Sequence, residues 1–263
     1  MALLKTLQLQ ICSLSGTIPP ELGSLANLVK LRLHQNSLTG SIPEELGNLS
    51  NLIELNLSFN QLDGPVPASL ERLSKLERLS LSNNTLDGSL PAFLHRLSAL
   101  KHIALDSNKF SGPIPENYTG MPLLDTLMLG NNHLRGPLPT TWPSQSRLRH
   151  LDLSNNHLFG RIPPSLGNCT SLMILNLSNN ELTGRIPPEL GQLLDPFLEL
   201  SLNENKLFGR IPLELGNLEA IKVKVYGNAG ITGPIADGLV RLFESGVLQV
   251  DAAVKREFLY GDE

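Results

Sequence analysis

Leucine recurs at a fixed spacing along almost the whole chain, and the residues between the leucines are mostly polar. The unit is L-x-x-L-x-L followed by x-x-N-x-L-x-G-x-I-P, and it returns every 24 residues. In an extended segment, residues two apart point to the same side, so the last two leucines of L-x-x-L-x-L share one face. The pattern therefore predicts one short strand per repeat, with its leucines on a buried face.

Ten copies of the unit can be aligned. Clear examples are LRLHQNSLTGSIP from Leu31 and LNLSNNELTGRIP from Leu175, and the first copy is LQLQICSLSGTIP from Leu7. One copy cannot bury its own leucine face, whereas stacked copies bury it continuously. We therefore predict that residues 1–235 form a solenoid of about ten 24-residue repeats.

An asparagine column runs through the repeats at the point where the chain leaves each strand. A carboxamide can both donate and accept, so this column is predicted to satisfy backbone groups from repeat to repeat. In the first repeat Cys12 takes this position, and a thiol performs the role poorly. The column comprises Asn36, Asn60, Asn84, Asn108, Asn132, Asn156, Asn180, Asn205 and Asn228.

The second half of each repeat carries turn signals. A glycine column, from Gly16 to Gly233, allows positive φ or a close backbone approach. The proline of I-P favours an extended site. The x-x-L-G-x-L segment that follows, such as EELGNL at 44–49, predicts a short 3-10 turn on the side opposite the strands.

The string LxxLxLxxNxLxGxIPxxLGxL resembles the plant-specific class of leucine-rich repeats over residues 1–235. That class includes plant receptor-like kinase and receptor-like protein ectodomains and polygalacturonase-inhibiting proteins. The resemblance implies an α/β-type repeat solenoid, a right-handed superhelix with a parallel concave β-sheet and 3-10 turns on its convex side. It also implies that ligands bind the concave face.

Exposed strand positions in the middle of the chain depart from the Ser and Asn of neighbouring repeats. These residues are expected to bind a ligand, because side chains on a rigid repeat scaffold are well placed for recognition. The alternative is a solvated face with charge ladders, in which Lys30, Glu54 and Arg78 alternate in sign. The candidates are Arg78, His102, Asp106, Met128, His150 and Asp152.

The repeat pattern decays after Gly233, and residues 236–263 are predicted to form a helical cap over the last leucine layer. A linker to a further domain and a partner-binding helix are the alternatives. The apolar residues at helical spacing are Leu239, Leu242, Phe243, Val247 and Leu248, followed by Val250, Val254, Phe258 and Leu259.

Charge and motifs exclude several functions. The chain has 21 basic and 25 acidic residues, a balance that argues against DNA or RNA as partners. It has no apolar run long enough for a membrane span and no motif for a nucleophile, phosphate loop or zinc protease. His133 and His157 share a column, but a metal would need a third ligand. We expect a non-enzyme without metal or cofactor.

The cysteines and glycosylation motifs bear on the compartment. Cys12 and Cys169 are about six repeats apart, too far for a disulfide, and both are expected to be reduced and buried. The related ectodomains usually have paired cysteines in caps, which are missing here. Most N-x-S/T motifs coincide with the repeat consensus, so Asn117 is the glycosylation candidate.

Together these features predict a module that binds a protein or peptide and perceives a signal through its concave face, as a monomer or in a ligand-induced complex. The alternatives are an inhibitor of a secreted hydrolase and a cytosolic interaction scaffold. A receptor fragment would lie on the extracellular face of the plasma membrane. A complete chain would be cytoplasmic, because no signal peptide or cysteine cap is present.

Overall fold

Each repeat places its L-x-L segment in a three-residue strand whose central leucine is fully buried. The computed structural model describes residues 3–144, 146–252 and 254. Leu31, Leu55 and Leu79 at the strand centres are each 0% exposed, as expected for a face shared with the repeats on either side. The chain divides into an N-terminal unit, Met1–His133, and a C-terminal unit, Leu134–Glu263.

In both units these strands pair in parallel, in chain order, and form what we call the long sheet. The N-terminal unit contributes Thr6–Gln8, Lys30–Arg32, Glu54–Asn56, Arg78–Ser80, His102–Ala104 and Thr126–Met128. The C-terminal unit contributes His150–Asp152, Ile174–Asn176, Glu199–Ser201, Lys222–Lys224 and Leu248–Gln249. The structure thus confirms a parallel-sheet repeat solenoid.

A second set of strands, which we call the lateral sheets, follows the asparagine positions. In the N-terminal unit they are Ser15–Thr17, Ser37–Ser41, Gln61–Gly64, Thr85–Leu86 and Ser111–Gly112. Strand His133–Pro137 begins at the last residue of that unit. The C-terminal unit continues with His157–Arg161, Glu181–Gly184, Lys206–Gly209 and Gly230–Ile231, all parallel.

The I-P segments lead into 3-10 helices, as predicted. The residue before each helix is extended; it is a proline, for example Pro43 with φ −63° and ψ 137°, except before Asp237–Leu239, where it is Ala236. In the N-terminal unit the helices are Pro20–Ser24, Glu44–Asn48, Ala68–Arg72, Ala92–Arg96 and Glu116–Gly120. In the C-terminal unit they are Pro164–Asn168, Pro188–Gln192, Leu213–Asn217 and Asp237–Leu239. The α-helix Val240–Glu244 follows directly.

The asparagine column has the predicted structural role. Asn108 donates from Nδ2 to the carbonyl oxygens of Leu81 and Leu105, both at 3.1 Å. Its Oδ1 accepts the Leu86 N–H at 3.0 Å. Because Leu81 and Leu86 belong to the preceding repeat and Leu105 to the repeat of Asn108, the buried carboxamide joins two repeats.

The C-terminal segment is helical in part only. Helix Val240–Glu244 buries Leu242, but Leu248, expected on the same helix, lies in a strand that pairs with Lys222–Lys224. The helical expectation is therefore wrong for Leu248, because its backbone extends the long sheet instead. Phe258 and Leu259 lie outside the described residues. The boundary between 1–235 and 236–263 and the capping role stay predictions.

Both cysteines are free, and Cys169 is buried in a leucine position. The expected burial of Cys12 is wrong: it is exposed, because the first repeat of the structure is covered on one side only. Its thiol donates to the Gln10 carbonyl oxygen at 3.3 Å. Burial raises the pKa of the Cys169 thiol, against a smaller opposing effect of a hydrogen bond with Ser146.

These environments predict unequal thiol reactivity. Thiolate is the reactive form, so an exposed thiol reacts faster than a buried thiol with a raised pKa. We expect one thiol to react rapidly with a chromogenic disulfide reagent in the native protein and both to react after unfolding. Cys12→Ser should abolish the rapid reaction. Two rapid equivalents in the native protein would contradict the buried position of Cys169.

Candidate functional site

The outward positions of the long sheet form the surface on which the predicted ligand-binding residues lie. In the N-terminal unit, Arg78 and His102 are directly paired across neighbouring strands. Met128 pairs with Ala104, which shares a strand with His102. Arg78 is exposed, whereas His102 and Met128 are half-buried. The structure therefore brings these three side chains together on one outward face, with a cation, an imidazole and a soft thioether.

An ion pair occupies the part of this face formed by the strands Lys30–Arg32 and Glu54–Asn56. Arg32 donates from Nε and Nη2 to the two carboxylate oxygens of Glu54, at 2.6 and 2.7 Å. The hydrogen bond from Arg32 is the main reason that the pKa of Glu54 is lowered. The predicted alternation of Lys30, Glu54 and Arg78 is thus present, but the main partner of Glu54 is the diagonal Arg32. Its carboxylate is satisfied within the protein.

Asp106 follows the strand His102–Ala104 on the same outward side and is half-buried. Its Oδ1 accepts a hydrogen bond from the Ser82 hydroxyl of the preceding repeat at 2.5 Å. The carboxylate is held in place by its neighbour, so a ligand would meet a fixed rather than a mobile acceptor.

In the C-terminal unit, His150 and Asp152 lie on the first long-sheet strand, both half-buried. Asp152 Oδ1 accepts the Ser154 N–H at 2.9 Å. Asn176 makes the same contact with the Ser178 N–H at 3.2 Å in the next repeat. Because asparagine serves equally well there, the carboxylate of Asp152 has a local structural role.

The predicted glycosylation site and the histidine column lie outside the long sheet. Asn117 is exposed in helix Glu116–Gly120, so its side chain is accessible, and its glycosylation stays a prediction. His157 Nδ1 lies 3.9 Å from Glu181 Oε1. Among the described residues, no three side chains of the kinds that bind metals come together. None of the described helices is both long and apolar enough to span a bilayer.

The sequence analysis missed a row of arginines on the lateral side of the C-terminal unit. Arg161, Arg185 and Arg210 each follow the glycine of their repeat, in three copies of Gly-Arg-Ile-Pro. The copies lie at 160–163, 184–187 and 209–212. Their recurrence at the repeat period was the available signal. The net charge of the chain does not reveal this row, because acidic residues elsewhere balance its positive charge.

The chain is similar to solved ectodomains of plant receptor kinases. It superposes on the ectodomain of the receptor kinase GASSHO1/SCHENGEN3 from Arabidopsis thaliana, solved in complex with CASPARIAN STRIP INTEGRITY FACTOR 2. The TM-score is 0.81 at 37% identity, over 86% of this chain and 27% of that one. The Arabidopsis receptor kinase HAESA, in complex with the peptide hormone IDA and a co-receptor, gives a TM-score of 0.84 at 32% identity. That match covers 95% of this chain and 43% of the other.

A third similar structure is that of a plant ice-binding protein. The TM-score is 0.72 at 31% identity, over 92% of this chain and 79% of that one. The chain thus spans less than half of the two receptor chains and most of the ice-binding protein. No curated protein is significantly similar to this chain.

The family assignment comes from the repeats themselves. The Leucine Rich Repeat family matches residues 3–25, 27–49, 51–73, 75–97, 147–169 and 171–193. These matches fall on the strands and 3-10 helices described above and cover more than half of the sequence. The chain therefore belongs to the leucine-rich repeat family.

Proposed function

We propose that the chain is a ligand-binding module, rather than an enzyme, and that it recognises a peptide on the outward face of its long sheet. The observation that carries this proposal is the match to HAESA, a receptor kinase that binds a peptide hormone, over 95% of this chain. This chain spans 43% of that receptor chain. Peptide binding by this chain is therefore stated as a proposal.

The face in the N-terminal unit offers suitable chemistry for a peptide. Arg78 can bind a carboxylate or a backbone carbonyl, His102 can donate or accept, and Met128 can pack against an apolar side chain. Asp106, held by Ser82, supplies a fixed acceptor for a peptide N–H or a cation. A rigid sheet presents these groups without a large ordering cost on binding.

The test begins with selection of peptides from a displayed random library against the purified chain. The best peptide is then titrated against a variant that combines Arg78→Ser, His102→Ser and Met128→Asn. Hot-spot side chains contribute about 2 kcal/mol or more, so the affinity should fall by at least about 30-fold. Exposed substitutions change stability little, and the melting temperature should stay within about 4 °C.

A matched control removes charges from the turns instead. Arg72, Lys75 and Arg96 are exposed residues in or beside the 3-10 helices of the same unit. Their combined replacement by glutamine should leave the affinity unchanged. If the face variant binds as tightly as wild type, the peptide site lies elsewhere. If no peptide is selected but the chain inhibits ice growth, ice binding would replace peptide recognition as the proposed function.

A further inference from the structure

The arginine row of the C-terminal unit lies where the lateral strands lead into the Ile-Pro segments. Arg161 ends the strand His157–Arg161, and Arg185 directly follows the strand Glu181–Gly184. Arg210 follows Lys206–Gly209 in the same way. Parallel strands are about 4.8 Å apart, so the row offers one guanidinium per repeat over roughly 10 Å.

The side chain of each arginine lies across the glycine of the next repeat. A Cβ built on Gly184 would lie 3.0 Å from Arg161 Cγ, and one on Gly233 would lie 3.0 Å from Arg210 Nε. Gly209 is covered in the same way by Arg185, at 3.4 Å. The glycine column therefore gives the arginine side chains room to lie along the surface.

The row has no acidic partner within the described part of the chain. All three arginines are exposed, and none of them forms an ion pair or hydrogen bond with a described residue. The carboxylate on the neighbouring strand, Glu181, is already paired with Lys206 Nζ at 2.8 Å. Three neighbouring arginines without an ion-pair partner among the described residues are suited to an anionic ligand.

A groove of about 770 Å³ lies beside the row. Arg161 and Arg185 line it together with apolar side chains that include Ile186 and Phe208. Glu189 also lines the groove, and its Oε2 is buried without a hydrogen-bond partner among the described residues. The groove thus combines two arginines, apolar side chains and one carboxylate.

We propose that this groove binds an extended peptide that carries acidic side chains. Two carboxylates three residues apart would pair with Arg161 and Arg210 at the ends of the row, and a backbone carbonyl between them would accept from Arg185. In a polyproline II peptide, residues three apart lie on one side at about 9 Å, close to the span of the row. A uniform polyanion fits less well, because Glu189 would repel it and the apolar side chains of the groove would contact no apolar group. This site lies on the lateral sheet, so it is separate from the proposed long-sheet face.

The probe is a fluorescein-labelled peptide of three Glu-Pro-Pro triplets, titrated by anisotropy against the full chain. Combined replacement of the row, by Arg161→Gln, Arg185→Gln and Arg210→Gln, should weaken binding at least about tenfold, because charge-assisted contacts are lost. The control variant with Arg72→Gln, Lys75→Gln and Arg96→Gln removes the same charge and should bind within about twofold of wild type. A peptide with Gln in place of Glu should also bind at least about tenfold more weakly.

Three results would overturn the proposal. The first is no saturable binding of the Glu-Pro-Pro peptide by the wild-type chain. The second is an equal loss in the row and control variants, which would show unspecific charge attraction. The third is row-dependent binding of dextran sulfate without binding of the peptide, which would assign the groove to polyanions. Melting curves verify folding, and Arg185→Gln alone, expected to weaken binding about threefold, replaces the triple variant if that one unfolds.

Discussion

Replacement of Gly47 by alanine is expected to lower the free energy of unfolding by about 3 kcal/mol, because the new methyl group has no space. A Cβ at this position would lie 2.3 Å from the Ser69 carbonyl oxygen, in the 3-10 helix of the following repeat. A backbone atom cannot rotate away as a side chain can. The two repeats must separate, and at about 2–4 °C per kcal/mol the melting temperature should fall by about 6–12 °C.

Gly120→Ala provides the matched control in the same unit. Gly120 also lies in a 3-10 helix, Glu116–Gly120, but a Cβ there would meet nothing within 4 Å. Alanine at such a position reduces the entropy of the unfolded chain, so the melting temperature should stay constant or rise slightly. Equal melting temperatures for Gly47→Ala and wild type, measured by circular dichroism, would contradict the close approach of neighbouring turns.

The repeat period was sufficient to predict most of the fold. The spacing of leucines set the buried face of each strand, and the asparagine column identified the backbone groups that need a partner. Both predictions succeed because the same contact recurs in every repeat, so an error in one copy is corrected by the others. The 3-10 helices were predicted for the same reason.

Features that occur once could not be predicted in this way. The strand at Leu248 forms because its backbone pairs with Lys222–Lys224, and a pattern of apolar spacing does not reveal such pairing. The pairing of Glu54 with Arg32 depends on side-chain reach between strands. Cys12 is exposed because of its place at the edge of the stack, although its position within the repeat is an internal one.

The sequence predicted which side of the long sheet carries the candidate residues, but not the contacts that these residues make. Period-two alternation placed Arg78, His102 and Met128 on the outward side, and the structure has them there. The local roles of Asp106 and Asp152 as acceptors for Ser82 and Ser154 depend on hydrogen-bond geometry, which the repeat pattern does not contain. Whether these residues bind a ligand stays a prediction.

Replacement of Asn132 by alanine is expected to lower the free energy of unfolding by about 3 kcal/mol. Asn132 is 5% exposed. Its Oδ1 accepts the Phe110 N–H at 3.0 Å, and its Nδ2 donates to the carbonyl oxygens of Leu105 and Leu129, both at 3.1 Å. Alanine would leave these backbone groups buried without partners. A single orphaned group costs about 1–3 kcal/mol, and the costs of neighbouring groups add only in part.

Asn117→Ala is the control for this substitution, since it removes the same carboxamide from the same unit. Asn117 is exposed, and within the described part of the chain its side chain makes no hydrogen bond. The melting temperature of the Asn117→Ala variant should therefore stay within about 2 °C of wild type, whereas that of the Asn132→Ala variant should fall by about 6–12 °C. Equal melting of both variants would mean that water replaces the carboxamide, and the asparagine column would then contribute little to the cohesion between repeats.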